Sequence, residues 1–321
     1  MSSPDLNAVR AFGEWVLESV ERAIVGKSDV IRMVIAAVVS GGHVLFEDYP
    51  GLGKTLLART LAQSTELSFS RIQFTPDLLP GDITGGSVYN RETGTFELRR
   101  GPIFTNVLLA DEVNRASPKT QSALLEAMQE GQVTIEGETM PLPDPFVVLA
   151  TQNPIEYEGT FPLPEAQLDR FLVKLSVGYP DARAEAEILR RRRERREDAL
   201  TVEPVTTLEE ILAMRDLVEE VHLHADLEEY IVRIVGRTRE HTSVSVGASP
   251  RGSLAIMKTA RALAALSGRG FVIPDDVKAS AAVALRHRIV VSPELWMREQ
   301  AAEDVVDSII GSVPVPVIAQ S

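Results

Sequence analysis

The sequence predicts an α/β protein: a mostly parallel sheet flanked by helices, followed by a smaller all-α domain. Up to about residue 176, short apolar segments rich in β-branched and aromatic residues alternate with helix-like stretches. This alternation is typical of parallel sheets covered on both faces. From about residue 181 the strand signals fade and helical segments dominate. We therefore expect an α/β domain over residues 1–180 and a linker with an all-α domain over residues 181–321.

The strand signal recurs in five short segments of the first domain. They are HVLF (43–46), FSRIQF (69–74), VLLA (107–110), FVVLA (146–150) and FLVKLSV (171–177). Helix-like stretches such as TLLARTLAQS (55–64) and PKTQSALLEAMQE (118–130) lie between them. The second domain begins with the arginine-rich stretch at 181–198, whose charges we interpret as a solvated helix surface. Four further helical segments follow at 207–221, 227–241, 250–268 and 274–290.

Composition narrows the possible functions. The chain has 321 residues, and its 33 Lys and Arg against 46 Asp and Glu give a net charge of -13. Such a charge provides no general attraction to nucleic acid or anionic membranes. The chain contains no cysteine, which excludes disulfides and thiolate metal sites. Its longest plain apolar run, MVIAAVV (33–39), is far shorter than the roughly 18 residues of a spanning helix. The start has no signal-peptide pattern, so we expect a cytoplasmic protein without membrane insertion.

The stretch EDYPGLGKT (47–55) follows the first predicted strand and nearly matches the phosphate-binding pattern GxxxxGK[ST]. The residues expected to contact a nucleotide are Pro50, Gly51, Leu52, Gly53, Lys54, Thr55 and Leu56. The glycines let backbone N–H groups approach phosphate, Lys54 reaches the outer phosphates, and Thr55 offers a hydroxyl to Mg²⁺. Asp48 stands where the pattern has its first glycine. Because Asp tolerates left-handed backbone geometry, we expect it to fill a turn, and the sequence leaves any further role of its carboxylate open.

A second motif, NVLLADEVNR (106–115), supplies two carboxylates at the end of a buried strand. The carboxyl ends of strands in an open α/β sheet are where ligands bind. We expect Asp111 to help hold Mg²⁺, together with Thr55, and Glu112 to polarise an attacking water. With five histidines and no convergent spacing of metal ligands, Mg²⁺ is the only metal that we infer.

These motifs, together with ATQNP (150–154), LPEAQLDRF (163–171) and GASPRG (247–252), resemble the MoxR family of AAA+ ATPases over most of the chain. The resemblance implies an AAA+ P-loop domain followed by a helical lid. IQFTPDLLPGDITG (72–85) and GPIFTN (101–106) resemble the segments that flank the family's helix-2 insert, here at about 75–105. GQVTIEGETMPLPDPF (131–146) alternates like a β-hairpin with its turn at Glu136 and Gly137. The resemblance makes the hairpin, at about 131–142, an insert that is a candidate contact for a client.

The resemblance also assigns catalytic roles residue by residue. Asn153 matches the polar sensor of the attacking water or γ-phosphate, and Arg170 matches the arginine finger that enters a neighbouring subunit's site. Arg251 matches the second sensor on the lid, where the resemblance leaves open whether it serves its own site or a neighbour's. Val25 and Gly26, in AIVGKSDVI (23–31), match the segment that reads adenine. With Lys54 and Glu112, these residues complete the predicted site.

We therefore expect a Mg²⁺-dependent ATPase that forms a hexameric ring and remodels or matures a protein client. The resemblance suggests a partner with a von Willebrand factor A domain. A nucleic-acid motor of the neighbouring AAA+ branch is an alternative, which the acidic charge disfavours. A non-enzymatic nucleotide switch or scaffold is a second alternative, which the complete set of predicted catalytic residues disfavours.

Overall fold

The structure is a computed structural model that describes residues 6–154, 160–197, 200–296, 298 and 300–317. The outer ends of the two predicted domains, residues 1–5 and 318–321, lie outside these ranges. The helices are α1 (Leu6–Glu21), α2 (Ser28–Val39), α3 (Lys54–Ser64), α4 (Pro80–Thr84), α5 (Pro118–Glu130), α6 (Glu165–Leu168), α7 (Ala182–Arg195), α8 (Leu208–Glu219), α9 (Ala225–Glu240), α10 (Pro250–Leu266), α11 (Pro274–Leu285) and α12 (Ala301–Ser312). The strands are β1 (Val44–Glu47), β2 (Phe69–Gln73), β3 (Gly85–Asn90), β4 (Thr95–Arg100), β5 (Val107–Asp111), β6 (Gln132–Ile135), β7 (Glu138–Pro141), β8 (Val147–Gln152), β9 (Val173–Leu175), β10 (Val244–Val246) and β11 (Val290–Val291).

The central sheet has five strands in the order β2-β5-β8-β1-β9. All of its pairings are parallel, and each strand overlaps a segment for which the sequence predicts a strand. From β1 the chain crosses to β2 at one edge, returns through β5 and β8, and ends at β9 on the other side. The strand order therefore reverses at β1, and the carboxyl end beside such a point is the usual ligand site of an open α/β sheet. The predicted α/β class is confirmed.

The two faces of the sheet bury two separate apolar cores. Alternate residues of β1 divide between them: Val44 and Phe46 pack on one face, and Leu45 packs on the other. The first core continues through α1 and α2 into α8–α11. Gly13 of α1 lies so close to α10 that an added Cβ would be 2.5 Å from Leu266 Cδ2. Packing is thus continuous across residue 180, and the domain division there stays a prediction.

The second part of the chain is helical, as predicted, with one small addition. β10 and β11 form a short antiparallel pair that the sequence analysis did not predict. Among the described residues, no helix combines the length and the apolar character that crossing a bilayer requires.

Two hairpins project from the sheet region. β6 and β7 pair across Glu136 and Gly137, whose φ values of 52° and 88° suit a two-residue hairpin turn. β3 and β4 form a second hairpin, within the predicted helix-2 insert, that the sequence analysis missed. Tyr89 and Phe96 are exposed on this hairpin, with ring centroids 5.3 Å apart. Apolar side chains thus remain on its surface.

Candidate functional site

The predicted phosphate loop connects β1 to α3. Gly51 and Gly53 both have a φ of 82°, a region that a Cβ makes costly, and a Cβ added at Gly51 would meet no atom within 4 Å. Gly53 is the N-cap of α3, which begins at Lys54 with Thr55 next. The first-turn N–H groups of a helix have no partner within the helix and lie at the positive end of its dipole. This loop therefore has the geometry of an anion site.

The Lys54 side chain crosses the loop. Its Nζ donates to the carbonyl oxygens of Asp48 at 3.1 Å and Tyr49 at 2.7 Å. Burial lowers the pKa of Lys54, and the carboxylates of Asp48, Asp111 and Glu112 oppose that shift. The ammonium group is thus held among acceptors that a phosphate would replace.

The expectation that Asp48 fills a left-handed turn is wrong, and the structure gives its carboxylate a further role. Asp48 is absent from the described residues with positive φ, so it does not use the left-handed geometry that glycine favours. Its carboxylate is buried and accepts hydrogen bonds from Ser176 Oγ at 2.7 Å, Val177 N at 2.6 Å and Gly178 N at 3.2 Å. Its side chain therefore joins the loop to the segment that follows β9.

Asp111, the last residue of β5, is held from two sides. Its Oδ1 accepts from Thr151 Oγ1 at 2.6 Å, and its Oδ2 accepts from Arg71 Nη2 at 2.7 Å. Arg71 Nε also donates to Oδ2, at 3.2 Å. The carboxylate is thus fixed at the carboxyl end of the sheet, close to the loop.

Glu112 adopts left-handed geometry, with φ 57° and ψ 51°, which is uncommon for a residue with a Cβ. Its backbone N–H donates to Thr151 Oγ1 at 2.8 Å. Its Oε2 accepts from Gln73 Nε2 at 2.7 Å and Arg115 Nη1 at 3.0 Å. Strained backbone held by several contacts is common at functional sites. Here the left-handed backbone of Glu112 directs its carboxylate away from β5 and towards Gln73 of β2.

These elements enclose a cavity of about 360 Å³. Its lining includes the loop from 50 to 56, Asp111, Glu112, Asn153, Arg71 and Gln73. The structure thus brings together all the predicted phosphate, metal and first-sensor residues. Arg71 and Gln73 were not predicted, although alternation within FSRIQF places both on one face of β2, next to β5.

The donor set fits a magnesium nucleotide. Thr55 and Asp111 offer hydroxyl and carboxylate oxygens, the ligand type that Mg²⁺ prefers. In the described part of the chain, no group of three or more His, Asp or Glu residues could hold a metal ion alone. A cation here would therefore need phosphate oxygens and water as further ligands, which is usual for Mg²⁺.

The predicted adenine segment borders the loop. A Cβ added at Gly53 would lie 3.5 Å from Ile24 Cδ1, and one added at Gly26 would lie 3.1 Å from Ala184 Cβ of α7. Half-buried Val25 lies between Ile24 and Gly26 in sequence. The segment therefore runs between the phosphate loop and α7.

One arginine of the charged stretch 181–198, which we interpreted as a solvated surface, contacts the end of α1. Arg191 of α7 donates from Nη1 to Glu21 O at 2.6 Å and Arg22 O at 3.2 Å, where α1 ends. Cationic side chains stabilise the unpaired carbonyls at a helix C-terminus. α7 is thus fastened to the end of α1, next to the adenine segment.

The two remaining predicted arginines lie elsewhere. Arg170 and Arg251 line a separate cavity of about 260 Å³, together with Lys258 and residues 40–43, which precede β1. Neither arginine lines the phosphate cavity. The phosphate loop follows the carboxyl end of β1, whereas residues 40–43, which line the second cavity, precede its amino end. The two cavities therefore lie at opposite ends of this strand. Arg170 Nε is buried without a hydrogen-bond partner among the described residues.

A polar cluster links these arginines. Asp169 accepts from Arg288 Nε at 2.7 Å and from Ser249 Oγ at 2.8 Å, and Ser249 Oγ in turn accepts from Arg251 N at 3.1 Å. Arg288 Nη2 donates to Phe171 O at 2.6 Å. Burial lowers the pKa of Arg288, and the Asp169 carboxylate opposes that shift. Both neighbours of Arg170 in sequence are therefore tied to Arg288, which follows α11, and the Asp169 side chain is also tied to Ser249, the N-cap of α10.

Comparison with known proteins assigns the two parts of the chain. Residues 43–173 match the family model for ATPases associated with various cellular activities, and residues 236–309 match an AAA lid domain. A crystal structure of a Cytophaga hutchinsonii protein proposed to be an ATPase superposes with a TM-score of 0.90 at 40% identity, covering 98% of this chain and 97% of the other.

The curated relatives extend over nearly the whole chain. An uncharacterised Bacillus subtilis protein, YeaC, is 52% identical over 94% of both chains. The chaperone MoxR1 of Mycobacterium tuberculosis is 42% identical over 94% of this chain and 82% of its own. The MoxR protein of Methylorubrum extorquens is 30% identical over 92% and 93%, respectively. With the fold and the site, these relationships show that the chain belongs to the MoxR family of AAA+ ATPases.

Proposed function

We propose that this protein hydrolyses ATP at sites shared between neighbouring subunits of a hexameric ring, and that the cycle remodels or matures a protein client. One observation carries the shared site. The phosphate loop, Asp111, Glu112 and Asn153 line one cavity, whereas Arg170 and Arg251 line another at the opposite end of β1. A single subunit thus presents two incomplete halves on different surfaces, and head-to-tail contacts that close into a ring would join them.

In this proposal the loop binds the phosphates. Residues 51–53 would contribute backbone N–H groups and Pro50, which has none, would line the loop. Lys54 would leave the carbonyl groups of Asp48 and Tyr49 to contact the outer phosphates, and Thr55 and Asp111 would hold Mg²⁺. Mg²⁺, when bound, neutralises phosphate charge and orients the phosphates for attack. Val25 and Gly26 contact the base beside α7, and Leu56 packs at the start of α3.

Glu112 is the residue that we assign to the attacking water. Gln73 and Arg115 both contact its Oε2, so they orient the carboxylate. Asn153, within the same cavity, would hydrogen-bond the water or the γ-phosphate. Such positioning, with proton transfer to a carboxylate, is how a general base accelerates hydrolysis.

We assign Arg170 and Arg251 to the site of a neighbouring subunit. The position of Arg170 supports this assignment because it lines a cavity that is separate from the phosphate loop of its own subunit. A guanidinium fork suits the several oxygens of a transferring phosphoryl group. For Arg251, whose placement the sequence left open, the shared cavity with Arg170 favours action in trans.

The client role rests on the relatives, one of which is named a chaperone. The two hairpins are the candidate client contacts, and a protein with a von Willebrand factor A domain is the candidate partner. A cytoplasmic location and the two-domain division at residue 180 stay predictions from the sequence.

Two substitutions test the catalytic assignment. Lys54→Ala should abolish nucleotide binding, whereas Glu112→Gln should bind ATP and hydrolyse it about 10²–10⁴-fold more slowly. Binding and phosphate release are measured with Mg²⁺ and with EDTA, and exposed Glu126→Gln on α5 is the matched control. Equal loss of nucleotide affinity in the Lys54 and Glu112 variants would contradict the assigned roles.

The same assay separates the alternatives. Stimulation of phosphate release by DNA would favour the nucleic-acid motor, and tight binding without turnover would favour a nucleotide switch or scaffold. Turnover that does not respond to DNA supports the protein-remodelling proposal.

A further inference from the structure

The Asp48 carboxylate occupies a built site. The residue is only 6% exposed, and its two oxygens accept three hydrogen bonds, from one hydroxyl and two backbone N–H groups. Hydrogen bonds to an ionised carboxylate are short and strong, and a buried charge without them would be costly. All three donors belong to residues 176–178, which leave β9. We call residues 176–181 the exit segment.

The backbone of Asp48 is connected as well. Its N–H donates to Gln152 O of β8 at 3.3 Å, and its carbonyl accepts from Lys54 Nζ at 3.1 Å. One residue thus links the end of β8, the exit segment and the lysine of the phosphate loop. A shift of Asp48 would move the start of the loop and one acceptor of Lys54 together.

The exit segment itself lies between parts of the proposed nucleotide site. Tyr179 O accepts from Lys27 Nζ at 2.9 Å, and the Tyr179 and Tyr49 rings lie 6.0 Å apart. Asp181 then caps α7 by accepting from Ala184 N at 2.7 Å. Since Ala184 borders the adenine segment at Gly26, the exit segment connects the phosphate side to the base side.

We propose that Asp48 is a positioning residue that fixes the phosphate loop to the exit segment, and that nucleotide affinity depends on this clamp. The inference rests on the proposed function, because it assumes that the loop binds nucleotide. In the usual pattern, glycine at this position provides freedom for a turn. Here a glycine would leave the N–H groups of Val177 and Gly178 without their acceptor and the loop without its anchor.

The clamp is tested with a graded series. Asp48→Gly restores the motif glycine, Asp48→Asn keeps the size of the side chain but turns an amide group towards N–H donors, and Ser176→Ala removes only the hydroxyl donor. Affinity for a fluorescent ADP analogue should fall at least about tenfold in Asp48→Gly, less in Asp48→Asn, and about twofold in Ser176→Ala. The KM for ATP should rise in the same order, with kcat within about twofold of wild type, because Asp48 is not assigned to water or phosphate.

A second measurement separates positioning from general stability. In folded Asp48→Asn, amide hydrogen exchange should accelerate at Val177 and Gly178, whereas amides of the distant α9 should exchange as in wild type. A uniform increase throughout the chain would overturn the clamp as a local device.

The outcomes distinguish failure of the clamp proposal from failure of the proposed nucleotide-binding function. If wild-type protein binds no nucleotide, the proposed function fails. If wild type binds and Asp48→Gly binds as tightly, only the clamp fails, because glycine then suffices. If Asp48→Gly does not fold, Asp48→Asn decides, and unchanged affinity there overturns the proposal. Unfolding of both variants would also overturn it, by assigning Asp48 to the fold rather than to the loop.

Discussion

Mixing two inactive variants tests whether neighbouring subunits share the catalytic site. Lys54→Ala removes the phosphate contact in one cavity, and Arg170→Ala removes the guanidinium of the other, at the opposite end of β1. An arginine finger contributes about 10³–10⁵ to kcat, so each variant alone should be nearly inactive. Arg170→Ala should nevertheless retain ATP affinity, since the finger stabilises charge that develops in the transition state.

The expected recovery follows from the head-to-tail geometry. In a randomly mixed ring with equal amounts of both variants, an interface is complete when an intact Lys54 faces an intact Arg170. Half of the subunits supply each, so about a quarter of the interfaces should be complete, and activity should reach about a quarter of wild type. If both groups served the same subunit, no mixing ratio would restore activity.

The assay is steady-state phosphate release at constant total protein, with mixed rings verified by pull-down through two different affinity tags. As the control, a chain carrying both substitutions replaces Arg170→Ala in the mixture, because no interface in such rings can be complete. Mixed rings that stay inactive would refute action of Arg170 in trans. An Arg170→Ala variant with wild-type kcat would refute its catalytic role altogether.

Two further predictions concern stability. Burial lowers the pKa of His43 to about 4, with Nε2 facing Met128 O at 3.1 Å and Nδ1 accepting from Val148 N at 3.0 Å. An unfolded imidazole titrates near 6.5, so the stability that neutral His43 provides is complete above that pH and is lost as pH falls towards 4. The stability advantage of wild type over His43→Gln in urea unfolding should therefore shrink by about 2 kcal/mol between pH 7 and pH 5, and a constant advantage would contradict a neutral, buried ring. At the base of the β3–β4 hairpin, a Cβ on Gly101 would lie 2.3 Å from the carbonyl oxygen of residue 83, whereas one on Gly86 would meet nothing within 4 Å. In the same measurement, Gly101→Ala should thus lower the free energy of unfolding by about 1–3 kcal/mol, and Gly86→Ala by less than about 1 kcal/mol. Equal effects would show that the backbone around Gly101 shifts to accommodate the added methyl group.

The sequence predicted the central sheet well because its strands are buried and apolar. Val107, Leu108 and Leu109 are all fully buried, and such a continuous apolar run predicts a buried strand without information from distant parts of the chain. The β3–β4 hairpin gave no comparable signal, because every residue of β4 is exposed and no buried face imposes a periodic apolar pattern. Its existence depends on pairing between strands rather than on burial.

The residues of the candidate site also differ in whether a local sequence pattern predicts them. Lys54, Asp111 and Glu112 could be predicted because their motifs are contiguous and their chemistry is local. The partners of Asp48 lie 128–130 residues away along the chain, and Arg71 lies 40 residues before Asp111, so neither contact leaves a local pattern. The turn interpretation of Asp48 failed because it weighed only the backbone of the loop and not what β9 brings to it.

The cluster around Asp169 has a mechanistic consequence under the shared-site proposal. Asp169 precedes Arg170 in sequence and accepts a hydrogen bond from Ser249, the N-cap of α10. Arg251 lies in the first turn of that helix. The Arg288 side chain at this junction is 3% exposed, so the ion pair it forms with Asp169 is shielded from solvent and costly to break. We therefore expect Arg170 and Arg251 to be displaced together when α10 shifts. If both arginines act in a neighbouring subunit, as proposed, a shift of α10 in one subunit would change the position of both cations in the next, and the lid position of one subunit would affect hydrolysis in its neighbour.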